Sequence, residues 1–231
     1  IKRPGILPVD SGMNTFTWDM RYPDAKKVDG TNVMWAGSVI GPQVIPGNYK
    51  VKMLIGDSLI AEQPFTILKD PRVTTTNADY AAQLDLLLKI NKKLTETHEA
   101  INKINKTTGS INSYQSGVSD TALAAKLKKF SGPVVDSLTS IKGELYNYKA
   151  SAPQDVLANP IRLNDKLAGV GSVVGSADTK PTKQSYDAFN DLSKRIDAQL
   201  AKLKKIMDEK IPEFNKMVDD AKIPAVNIQD Q

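Results

Sequence analysis

The sequence contains no cysteine and only one histidine, His98. Without thiols there are no disulfides, thiolate metal sites or cysteine nucleophiles. A single imidazole would leave a zinc site dependent on carboxylates for its other ligands. Cysteine usage therefore leaves the redox compartment open. Aromatic residues make up 6% of the chain, so each is informative, Trp18 and Trp35 above all. No run of 18 apolar residues occurs, which excludes an encoded membrane-spanning helix. No nucleophile elbow, phosphate loop or kinase-type motif is present. Gly169-Val170-Gly171 has no strand before it and is discarded as a dinucleotide site. The chain starts Ile1-Lys2-Arg3-Pro4 with neither Met nor a signal peptide, and so reads as a trimmed or excised piece.

What is present is ordinary for a soluble globular protein: 231 residues, 40% apolar and 25% charged, enough for one or two domains with their own cores. The net charge is +5. Residues 1–70 hold eight basic and seven acidic side chains, and the remainder holds 23 and 19. A nucleic-acid surface gathers its cations on one face, whereas here acids are interleaved with lysines throughout. The charges read as a solvated exterior, and no nucleic-acid partner is expected.

The first 70 residues follow a period of two. Tyr49, Val51 and Met53 alternate with Lys50 and Lys52, between turns at Pro46-Gly47 and Gly56-Asp57. Phe16 alternates with Trp18, and Val33 with Trp35, among closely spaced prolines and glycines. This pattern predicts an immunoglobulin- or fibronectin-like β-sandwich of six or seven strands over residues 1–70. Val51, Phe65, Ile67 and the two tryptophans would form its core.

Asp70-Pro71-Arg72 marks a boundary, and the period then lengthens to about 3.5. Residues 71–231 read as an antiparallel bundle of about four helices, near 77–106, 119–149, 160–175 and 182–220. Residues 74–77 supply good N-caps for the first, and Gly109 with the polar stretch after it is expected to end it. Ser119 or Asp120 should cap the second, which is expected to kink or break at Gly132-Pro133. Pro212 should bend the last, and the tail beyond Pro224 should be extended.

Candidate chemistry is sparse. His98 falls in the helical seam between Leu94 and Ile101, where a cap or a solvent-facing imidazole explains it better than catalysis. Asp19, Asp24 and Asp29 tempt a glycosidase reading, which needs two carboxyls held across a sugar cleft. Pro23 before Asp24 and Gly30 after Asp29 make turn roles sufficient. Exposed Trp18, Tyr22 and Trp35 could stack on sugar rings, although the alternation places the tryptophans in the core. Arg21 could pair with Asp19 or Asp24. The possible ligand contacts are therefore Trp18, Arg21, Tyr22, Asp24 and Trp35, with no catalytic, cofactor or metal residue assigned. Asn105-Lys106-Thr107 matches an N-glycosylation acceptor, a short and common pattern.

Residues 15–25 read TFTWDMRYPDA. Together with Met34-Trp35-Ala36-Gly37, Gly41-Pro42 and Pro46-Gly47-Asn48-Tyr49-Lys50-Val51 they are distinctive. They resemble the C-terminal region of secreted bacterial BNR-repeat or sortilin-like proteins of glycosyl hydrolase type, in which a β-propeller precedes an immunoglobulin-like domain and a helical segment. The resemblance implies export to the periplasm, cell surface or medium. It also implies an accessory, non-catalytic role and the upstream propeller as partner. The propeller's Asp-box repeat (S-x-D-x-G-x-x-W) does not occur here, so no catalytic residue carries over. Two other roles stand beside this one: a carbohydrate-binding module that takes polysaccharide on its aromatics, and a helical adhesin or oligomerisation module that contacts an envelope protein.

Overall fold

The computed structural model describes residues 10–30, 33–118 and 120–222. Two strands, β1 (Gly47–Ile55) and β2 (Ser58–Ile67), are followed by five helices. These are α1 (Asn77–Gly117), α2 (Thr121–Leu145), α3 (Leu163–Val174), α4 (Lys183–Lys205) and α5 (Ile211–Asp220). A 3₁₀ turn, Pro153–Leu157, leads to α3, and a π-helical turn, Ile206–Lys210, joins α4 to α5. The core is helical. Leu86, Ile101, Ile104, Leu127, Leu138, Leu145, Leu167 and Ile196 are its most deeply buried large apolar side chains.

The expected β-sandwich does not form. The chain is 57% helical, and among the described residues the only sheet is the antiparallel β1–β2 pair. The physical reason lies in residues 20–46. Their extended runs pair with each other only briefly, through Tyr22 N to Pro42 O (2.9 Å), Ala25 N to Val39 O (2.7 Å) and Val44 N to Met20 O (2.9 Å). Much of their remaining hydrogen bonding goes to side chains on α1 and α3, so no further strand is recruited. Ala25, Val28 and Val39 join the helical core. Residues 20–30 and 33–46 thus form a strap across the helices.

Helix α1 starts where the sequence predicts. Thr76 and Asp79 form a reciprocal capping box, with Asp79 N donating to Thr76 Oγ1 (3.2 Å) and Thr76 N to Asp79 Oδ2 (3.3 Å). The Thr76 hydroxyl, which donates to Asp79 Oδ2 (2.6 Å), and then the Thr76 amide hold the Asp79 carboxyl below its ordinary pKa. The helix runs through Gly109, eleven residues past its expected end at 106. Ser113 and Ser116 donate back to the carbonyls of Gly109 and Asn112, and Ile111 is buried, so packing overrides the weak local propensity. Asp120 caps α2 through the amides of Ala122 and Leu123, and Pro133 sits inside the helix without breaking it. The π turn widens the last long helix just before Pro212, which cannot donate a hydrogen bond to the preceding turn. The expected tail after Pro224 lies outside the described residues.

Candidate functional site

Helix α1 presents four polar side chains at seam spacing, Asn91, Thr95, His98 and Asn102, and each binds the backbone of the strap. Asn91 Nδ2 donates to Pro23 O (3.2 Å), and Thr95 Oγ1 accepts from Lys26 N (3.2 Å). Asn102 accepts from Asp29 N (2.8 Å) and donates to Lys27 O (3.0 Å). His98 is fully buried between them. Its Nδ1 donates to Lys26 O (2.6 Å), because a carbonyl oxygen has no proton to give, so Nε2 accepts from Asn164 Nδ2 (3.2 Å). Both ring nitrogens are engaged, and burial lowers the imidazole pKa, so the ring is held neutral in one tautomer. The solvent-facing alternative for His98 does not apply, and neither nitrogen is free to act as a base.

Helix α3 grips the strap a second time. The buried Asp165 accepts from Trp35 N (2.8 Å) and Ala36 N (2.9 Å). Gly37 lies so close that a Cβ there would sit 2.2 Å from the Ala168 carbonyl carbon. The 34–37 loop is thereby fixed, and it holds the Trp35 indole 57% exposed rather than in the core.

The other four expected contact residues gather at the far end of the strap. Arg21 Nη1 donates to Gly41 O (3.1 Å), while Gly41 N donates to Asp24 Oδ1 (2.9 Å), so this pair clamps one glycine from both sides. Asp19 Oδ1 accepts from Arg21 N (3.1 Å), a turn role. Trp18 Nε1 donates to Arg21 O (3.3 Å), and its ring packs edge-on against Tyr49 and Phe65, both at 6.2 Å. Tyr49 stacks on Phe65 at 5.8 Å and donates its hydroxyl to Ile45 O (2.6 Å). Burial, then the neighbouring Tyr22 phenol, hold the Tyr49 hydroxyl above its ordinary pKa. Among the described residues no ring contact links Trp35 to this cluster.

The aromatic cluster is the root of the hairpin. The register pairs Tyr49 with Phe65, Val51 with Gln63, and Met53 with Ala61. Alternation therefore puts an apolar face on one side, with Asn48, Lys50, Lys52, Glu62 and Thr66 on the other. Lys50 (2.6 Å) and Lys52 (3.2 Å) share the Glu62 carboxylate, which they hold below its ordinary pKa. Trp18 covers only the root. Beyond it Val51, Met53, Leu54, Ile55, Leu59 and Ile60 are all exposed, between 46% and 66%.

A cavity of about 310 Å³ lies between residues 38–45, α1 and α3. Leu84, Leu87 and Leu94 line it, with Arg21, Gln83 and Asn91 as polar members. No group of three His, Asp or Glu side chains suited to a metal ion occurs among the described residues. No helix among them is long and apolar enough to cross a membrane. Asn105 lies half-buried inside α1 rather than on a loop, a poor setting for a glycan. The residues that fix the strap, Asn91, Thr95, Asn102, Asn164 and Asp165, were not singled out from the sequence. Their signal was a polar row recurring along an apolar helical seam. Set beside protein-family models, curated proteins and solved structures, the chain matches none.

Proposed function

We propose that this chain is a non-catalytic docking module of an exported, glycosyl-hydrolase-like β-propeller protein. In this reading the β1–β2 hairpin makes the contact, and the helices are its rigid mount. The observation that carries it is the hairpin's exposed apolar face. Burying the exposed half of Val51, Met53 and Ile55, which alternate onto the Tyr49 face, would contribute roughly 2–5 kcal/mol before association costs. A face of this kind on a soluble protein marks an interaction site. The residues that resemble the propeller-linked family, 15–25 and 46–51, form the root of this hairpin and the strap beside it. They supply the expected partner and the expected extracytoplasmic location.

The test begins with the reading frame upstream of Ile1. Its product is titrated with this chain by calorimetry. Binding that is lost in Val51→Lys supports the proposal. No heat from that titration, or a frame without Asp-box repeats, refutes it. The fixed, exposed Trp35 favours a second reading, stacking on polysaccharide. Glycan binding abolished by Trp35→Ala would support it, and no heat with any polysaccharide would dismiss it.

A further inference from the structure

We propose that the outer edge of β1 is a strand-docking site, which pairs with an extended segment of the docking partner that alternates apolar and acidic residues. This rests on reading the chain as a docking module, and it names how that module binds. A two-stranded sheet has two free edges, and here they differ. On β2, Pro64 has no amide to offer, and the register shift between Met53 and Leu54 leaves Ile60 as an unpaired bulge. Proline and a bulge are the devices that blunt a sheet edge. Strand β1 runs nine residues, Gly47–Ile55, without proline, and no backbone hydrogen bond from its outer side is made among the described residues. Its alternate amides and carbonyls are free to pair.

The side chains of β1 specify what would lie beside it. On one face Tyr49, Val51 and Met53 call for apolar neighbours across the new pairing. On the other, two ammonium groups share the single carboxylate of Glu62, so that face carries an uncompensated cation. Cross-strand neighbours of Lys50 and Lys52 are therefore favoured when acidic. The same charges argue against a second copy of this chain. An antiparallel β1–β1 pairing centred on Val51 would set Lys50 of each strand against Lys52 of the other, and like charges directly opposite are destabilising.

The test uses the whole chain and two synthetic nonapeptides with blocked ends, one alternating Val and Glu, the other Val and Lys. The Val–Glu peptide is expected to bind at least tenfold more tightly. It should slow amide exchange within residues 48–54. The double variant Lys50→Glu/Lys52→Glu is expected to reverse the preference, which an unfolded hairpin would not do. If that variant does not fold, Lys52→Gln should narrow the discrimination. Equal affinity for both peptides, or protection that misses β1, overturns the proposal, as does a dimer in sedimentation held by this edge. If the upstream product binds the chain without protecting β1, the edge assignment fails and the docking function stands. If neither the product nor the peptide binds, both fail.

Discussion

Asp165 offers the sharpest test of how the strap is held. Its two oxygens each accept one backbone amide, Trp35 N at 2.8 Å and Ala36 N at 2.9 Å, at a site closed to water. Asp165→Asn keeps the shape but replaces one acceptor with an amide donor aimed at another donor. A hydrogen bond to a charged group contributes about 1.5–3 kcal/mol, and a buried amide left unpaired costs about 1–3 kcal/mol. A combined loss of about 3–4 kcal/mol is expected, a fall in Tm of roughly 6–16 °C for a chain of this size. Asp165→Ala removes both acceptors and should cost at least as much. Urea titration followed by Trp35 fluorescence in a Trp18→Phe background reads stability and the local environment together. In Asp165→Asn the Trp35 emission should change at denaturant concentrations where the helical circular dichroism is still intact. A loss below about 1 kcal/mol, with Trp35 unaffected, would refute the view that this carboxylate anchors the loop.

Other perturbations probe separate links. Burial keeps the folded-state pKa of His98 below the unfolded value, so the unfolded chain takes up its proton first as pH falls. The stability contributed by the neutral ring is complete above about pH 6.5 and declines below it by up to ~1.4 kcal/mol per pH unit, until the folded pKa is passed. Wild type minus His98→Gln urea midpoints at pH 5 and 7.5 should show this slope, and parallel profiles would contradict it. Gly41→Ala would place a Cβ 1.8 Å from Tyr22 O, prying the two arms of the strap apart. It should destabilise by ~1–3 kcal/mol, measurable as a drop in melting temperature. Pro133→Ala restores an amide to the interior of α2 and should stabilise by ~1–2 kcal/mol in denaturant unfolding.

The helical part of the fold was legible because its signals are local. The Thr76 cap, the Asp120 cap and the stripe from Leu127 to Leu145 need only neighbours a few residues away. Local rules also explain the overshoot at Gly109, where the buried Ile111 contributes more than propensity removes. The β-domain was misread for the complementary reason. A period of two says that a segment is extended, not what pairs with it. For residues 20–46 the partners on the helices are Asn, Thr, His and Asp side chains lying between 68 and 130 positions away. The hairpin itself was legible from Pro46-Gly47, Gly56-Asp57 and the Tyr49-Val51-Met53 alternation. Its exposure was not, because alternation alone does not reveal whether anything covers the apolar face. Of the five candidate contacts, Trp18, Arg21 and Asp24 prove joined through one short network, whereas Trp35 stands apart on its own mount.

The row of side chains on α1 hydrogen-bonds to the strap at its main chain. Every peptide unit carries the same amide and carbonyl, so the recognition is blind to what Lys26 and Lys27 are. These hydrogen bonds are addressed from the helix to the main chain, and the Lys26 and Lys27 side chains take no part in them. Both lysines point to solvent on a backbone fixed from beneath. That makes positions 26 and 27 a display surface, where side chains can be exchanged for new chemistry while the fold underneath keeps its register.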